Sequence, residues 1–136
     1  MAAARLTTQM LLTGSLAGLV ACAGDGAADK ATGAAPEYLP VDVTLMGGDL
    51  VRVRVAVKGA SDLAQLDDYA RCAAAGYATK NKAGFVRHVR TTTDKEGGIW
   101  RADAVYSITS ALPKGLQTID AEVTVADCAA LGIPTD

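Results

Sequence analysis

Val41, Val43 and Leu45 alternate with Asp42, Thr44 and Met46, and after Gly47-Gly48 the residues Val51, Val53, Val55 and Val57 alternate with Arg52, Arg54, Ala56 and Lys58. A period of two on both sides of a glycine pair predicts a β-hairpin. From Ser61 the period lengthens, and Leu63, Leu66, Tyr69, Ala70, Ala73 and Tyr77 recur at helical spacing. Ser61 or Asp62 is placed to cap this helix, and Asp62 has Gln65 three residues on, the spacing of a capping box. Ala70, Ala73, Ala74 and Ala75 make the helix thin enough to approach a sheet closely, and Gly84 ends the pattern. Three further strands are predicted, Phe85 to Thr93, Ile99 to Thr109 and Gln117 to Ala126, joined by turns at 94–98 and 112–115. Trp100, Ala102, Ala104, Tyr106 and Ile108 share one face of the second, and Ile119, Ala121, Val123 and Val125 share one face of the third. A terminal helical turn from Cys128 to Leu131, capped by Asp127, closes at Gly132 and Pro134. The expected fold is two-layer α+β over residues 41–136. It has a mainly antiparallel five-stranded sheet, built as a hairpin, a helix and a three-stranded meander, with one main helix on one face.

Upstream of this domain the pattern changes character. Arg5 is the only charge in residues 1–21, and the stretch from Leu6 to Ala21 is uncharged and rich in Leu, Ala, Gly and Thr, interrupted by Gly14, Ser15 and Gly18. A positive start and a short apolar run predict a signal peptide, since a bilayer span needs about 20 mostly apolar residues. The run ends Leu19-Val20-Ala21-Cys22, which resembles the lipobox of bacterial lipoproteins. The resemblance implies cleavage before Cys22, a diacylglyceryl thioether on its sulfur and an acylated new amino terminus. One buried acyl chain holds a protein only marginally, whereas two or three hold it firmly. Ala23 stands where lipoproteins kept at the inner membrane often carry Asp, so the resemblance implies the periplasmic face of the outer membrane. Residues 22–40, small and aperiodic after the lipidated Cys22, read as a flexible tether, with Tyr38 and Leu39 close enough to dock on the domain.

Half of the 136 residues are apolar, enough for a core, and the net charge of −2 argues against a nucleic-acid partner. With Cys22 given to lipid, Cys72 and Cys128 remain as an even pair in an exported chain, which predicts a disulfide stapling the helix to the end of the last strand. Two buried thiols are the alternative. A zinc site of Cys72, His88 and Cys128 lacks the paired spacing of zinc motifs and a fourth ligand, so no metal and no cofactor is expected.

Candidate chemistry lies on the sheet face turned from the helix. Strict alternation puts Arg52 with Arg54, His88 with Arg90, Arg101 with Asp103, and Asp120 with Glu122 on that face. This is either a partly basic surface for phosphate or carboxylate groups, as in lipopolysaccharide or peptidoglycan, or a solvated face of cross-strand ion pairs, each worth roughly 0.2–1 kcal/mol. His88 is the single histidine. Catalysis would require an orienting carboxylate and a nucleophile beside it. Asp103, Asp120 and Ser107 are the partners the alternation offers, and no nucleophile-elbow motif accompanies them. Gly47-Gly48 and Gly97-Gly98 lead into no helix and so cannot cradle a phosphate. Asp67 and Asp68 point to different faces of the helix. Tyr69, Tyr77, Phe85, Trp100 and Tyr106 read as core rather than as a pocket lining.

The segment from Asp68 to Thr109, with Asp-Tyr-Ala-Arg-Cys-Ala-Ala-Ala-Gly-Tyr and Phe-Val-Arg-His-Val-Arg-Thr, is similar to small uncharacterised proteobacterial lipoproteins. That resemblance implies an envelope protein and brings no catalytic residues. The expectation is a non-enzymatic, lipid-anchored interaction or accessory module that meets an envelope partner through its exposed sheet face or a free edge strand. The alternative is a small-ligand or lipid carrier with an apolar pocket between helix and sheet.

Overall fold

A computed structural model describes residues 34–115 and 117–136. The elements are β1 (Glu37–Tyr38), β2 (Asp42–Gly47), β3 (Leu50–Lys58), α1 (Leu63–Lys80), β4 (Phe85–Glu96), β5 (Ile99–Thr109), β6 (Thr118–Asp120) and α2 (Ala121–Leu131). β1 and β2 lie in line along one edge of β3, with Tyr38 opposite Val57 and Asp42 opposite Arg54. Across the sheet the order continues β3, β5, β4, β6, so it is five strands wide, and every pairing is antiparallel. The two-layer α+β architecture expected from the sequence is therefore present: one main helix covers one face and a second, shorter helix follows at the C-terminal end.

Three local expectations are corrected. The downstream strands do not run as a simple meander, because β3 occupies the far edge of β5 from Leu50–Ser107 to Lys58–Ile99. The last strand therefore returns to β4, with Ile119 opposite Val86. That strand is also short. Residues 121–131 are helical, because the Asp120 carboxylate caps the turn by accepting from the Val123 N–H at 3.0 Å. The Ala121 N–H is already committed to the Gly84 carbonyl at 2.9 Å. The alternation of Ile119, Ala121, Val123 and Val125 fits a strand, yet Ala121, Val125 and Cys128 also fall on one helical stripe, and packing against α1 selects the helix. Finally, β4 runs on to Glu96, so the turn shrinks to Gly97-Gly98, both at positive φ, the conformation of a two-residue hairpin.

The sheet reaches further upstream than Val41. Tyr38 sets its ring edge-on against Tyr69, centroids 4.9 Å apart, and the Tyr69 hydroxyl donates to the Leu39 carbonyl at 2.5 Å. β1 is thereby fastened to α1. The helix itself starts as its sequence predicts: Asp62 accepts from the Gln65 N–H at 3.0 Å, and the Gln65 side chain accepts from the Ser61 N–H at 3.0 Å.

Val51, Val53 and Val57 from the sheet and Leu66, Ala70 and Ala74 from α1 are wholly buried. The small residues of α1 serve a second purpose on its other flank, where Cys72, Ala75 and Gly76 are buried too. There α2 crosses, and Cys72 is joined to Cys128 in a disulfide with Cα atoms 6.0 Å apart. The bridge is the expected pair, but it ties helix to helix because the end of the predicted strand is α2. With both sulfurs bonded to each other, no thiolate remains for the zinc site that was weighed.

Gly76 marks the closest approach on that flank. A Cβ there would run into the Thr135 carbonyl oxygen and lie 2.8 Å from the Thr135 Cβ. Glycine-to-alanine in an exposed helix gains about 1 kcal/mol; here the overpacking costs about 1–3 kcal/mol and wins. Gly76→Ala is expected to lower the urea midpoint, and ending the Gly76→Ala chain after Pro134 is expected to raise it again. An additive loss from the two changes would contradict this account of the glycine.

Candidate functional site

The face of the sheet opposite α1 is built from the polar positions of β3, β5 and β4. Arg52, Val105 and Arg90 stand in one row across the three strands; Arg54, Asp103 and Thr92 form the next; Ala56, Arg101 and Asp94 the third. Of the predicted arginines, two are paired. Arg54 donates to Asp42 at 2.6 Å, and Arg52 Nε lies 3.4 Å from Asp103 Oδ1, too loosely aligned to count as a hydrogen bond. Arg90 and Arg101 form no ion pair among the described residues. Asp120, opposite Phe85 at the end of β6, stays on this side of the sheet but its carboxylate is committed as the N-cap of α2; Glu122 leaves the face, because it sits in the first turn of that helix.

His88 does not belong to this face, and the cause is one residue. The register of β4 against β5 shifts between His88 and Arg90, leaving Val89 as a β-bulge. A bulge inserts one unpaired residue and so inverts the alternation beyond it. His88 stands opposite Tyr106 on the helix side, while Arg90 stands opposite Val105 on the outer side. The sequence rule that placed them together fails at that residue.

On the helix side His88 enters a cleft of about 320 Å³ beside α1, lined by Asp67, Asp68, Arg71, His88, Thr91, Tyr106 and Ile119. The His88 and Tyr106 rings meet edge-on, centroids 5.2 Å apart, and His88 Nε2 is hydrogen-bonded to Thr91 Oγ1 at 2.7 Å. Arg71 donates to Asp68 at 2.7 Å. Tyr106 is almost fully buried, and burial, followed by the charge of Asp67, raises its pKa far above the usual phenol value. Asp67 and Asp68 both line the cleft, although adjacent residues on a helix diverge. Asp103, Asp120 and Ser107, the partners that alternation offered to His88, are absent from its lining.

Apart from this cleft, whose lining is largely charged and polar, the contact between α1 and the sheet is filled by buried valines and alanines. No group of three His, Cys, Asp or Glu side chains among them is arranged to hold a metal ion. No described helix is long and apolar enough to cross a membrane. Beyond the three residues that pair with β6, the outer edge of β4 from Arg90 to Glu96 has no strand beside it among the described residues. Cys22, the predicted lipid site, lies outside the described residues, as do the predicted signal peptide and most of the predicted tether.

Comparison with known proteins places this domain. A protein of Paracoccus denitrificans described as "Uncharacterized 26.9 kDa protein in nqo8 5'region" is 34% identical over 85 residues, which are 62% of this chain and 33% of that protein. The chain thus spans about a third of the length of the curated relative it matches. No solved structure matches it. The YNQ4 C-terminal domain family matches residues 38–132, from the tyrosine that fastens β1 to the glycine that caps α2. The chain belongs to the YNQ4 C-terminal domain family.

Proposed function

We propose that this protein is a lipid-anchored envelope protein of the periplasmic side of the outer membrane, and that its α+β domain acts without catalysis as an interaction or accessory module. The observation that carries this reading is one-sidedness: α1 packs on one face of the sheet, while the other presents Arg52, Arg54, Arg90 and Arg101 beside a β4 edge with no described strand on it. A free edge offers unpaired N–H and C=O groups for strand addition, and the arginines that lack an acid partner supply charge for a phosphate- or carboxylate-bearing envelope component such as lipopolysaccharide or peptidoglycan. The lipobox-like Leu19-Val20-Ala21-Cys22 supports attachment through acyl chains on Cys22, and the Cys72–Cys128 bridge suits an oxidising compartment. The carrier alternative has less support, because the core fills the helix–sheet interface except for a flanking cleft whose lining is mostly charged and polar rather than apolar.

Two measurements test this. Cells fed radiolabelled palmitate are expected to label the wild-type chain and not Cys22→Ala, which is released from membranes. A crosslinking capture from intact cells is expected to lose its envelope partner when Arg90→Glu and Arg101→Glu are combined. An unlabelled wild-type chain removes the anchor, and an unchanged capture removes the arginine face.

A further inference from the structure

The cleft beside α1 lies on the helix side of the sheet, apart from the arginine face. Its polar groups fall into two sets. Arg71 is engaged by Asp68 and His88 by Thr91, both at 2.7 Å, so these four largely satisfy one another. Asp67 and Tyr106 are left. The Asp67 carboxylate has no salt bridge among the described residues. Tyr106 is 3% exposed and lines the cleft, yet its hydroxyl makes no hydrogen bond among the described residues. The ring is buried but the oxygen is not: the described side-chain atoms buried without a partner are Arg52 Nε and Asp103 Oδ1, so the Tyr106 hydroxyl opens into the cleft. A phenol hydroxyl open to the cleft and the exposed Asp67 carboxylate on the same lining leave two acceptors that one ligand can engage together.

The charge decides which ligand. Asp67 and Asp68 against Arg71 leave a formal charge of −1, and Arg71 is already held by Asp68. An anion would face the uncompensated Asp67. A metal ion would lack donors, since no three suitable side chains converge among the described residues. A neutral ligand would leave the carboxylate unused. We propose that the cleft binds a primary alkylammonium group, with Asp67 and the Tyr106 hydroxyl accepting two of its N–H bonds. The alkyl stem lies along Ile119 and the perpendicular rings of Tyr106 and His88, where aromatic faces attract a cation. Burial keeps Tyr106 neutral, so it adds no second negative charge and either donates or accepts. The volume of about 320 Å³ is at the small end of ligand pockets and suits one side-chain-sized group.

The same ammonium could arrive on a free amine or on a lysine-type side chain of a peptide, and the test separates the two. Equilibrium dialysis of the full chain is run against radiolabelled cadaverine and against Nα-acetyl-lysine methylamide. Saturable one-to-one binding of at least one probe is expected, weakened at least tenfold by Asp67→Asn and several-fold by Tyr106→Phe, and unchanged by Lys114→Gln in the exposed loop before β6. Tighter cadaverine binding assigns a free amine, and tighter binding of the lysine derivative assigns a peptide side chain; both support the site. Absence of saturable binding of either probe overturns it. So does binding that Asp67→Asn leaves intact, or tighter retention of inorganic phosphate than of either amine. Both variants are nearly isosteric with the native residues, and thermal melting confirms that each is folded.

Discussion

Replacing Cys72 and Cys128 together by alanine is expected to remove about 4 kcal/mol of stability, the chain-entropy value for a bridge between residues 56 apart. A domain of this size has roughly 5–15 kcal/mol in all, so the variant is left marginal. The loss should not be spread evenly. α2 buries only Ala121 and Cys128, and the bridge is what presses it against α1. Hydrogen exchange in the double variant is therefore expected to open the α2 amides first, while those of β3, between two paired neighbours, hold until global unfolding. Urea unfolding with and without reductant gives the same comparison on the native chain. A midpoint that ignores reductant would contradict the expectation, as would thiol labelling of either cysteine in the denatured, non-reduced protein.

Tyr69→Ala is expected to cost about 3–5 kcal/mol, the range for truncating a buried aromatic. Tyr69 is 1% exposed and touches both layers: its ring packs on Tyr38 and its hydroxyl holds the Leu39 carbonyl. Tyr69→Phe keeps the ring and removes only the hydrogen bond, for about 1 kcal/mol. The difference between the two variants isolates the packing contribution. Proteolysis supplies an independent readout, since β1 lost from α1 exposes the backbone near Leu39 to cleavage. If Tyr69→Phe proved as damaging as Tyr69→Ala, the hydrogen bond rather than the ring would be the fastening.

The candidate sites were legible to very different degrees. The outer arginines of β3 and β5 follow from alternation alone, and the structure keeps Arg52, Arg54 and Arg101 on one face. The cleft was invisible. Thr91 carries no signal by itself, Asp67 and Asp68 look like ordinary helix surface, and strict alternation puts His88 on the wrong side of the sheet. A single bulge at Val89 accounts for that error, because strand parity counts residues and a bulge adds one. Val89 is 54% exposed, and an isolated valine followed by arginine in a strand gives no warning of a bulge.

The chain alone determined what depends on neighbours in sequence: the alternating valines of β3, the Asp62–Gln65 start of α1, the Gly97-Gly98 reversal and the glycine stop at Gly132. Each is set by short-range sterics or a hydrogen bond a few residues long, so the local residues suffice. Tertiary structure decided which of two acceptable periods residues 121–126 adopt, which strand β6 pairs with, and what His88 faces. Those outcomes depend on which edge is already taken and which surface must be buried, and neither is written in any one segment.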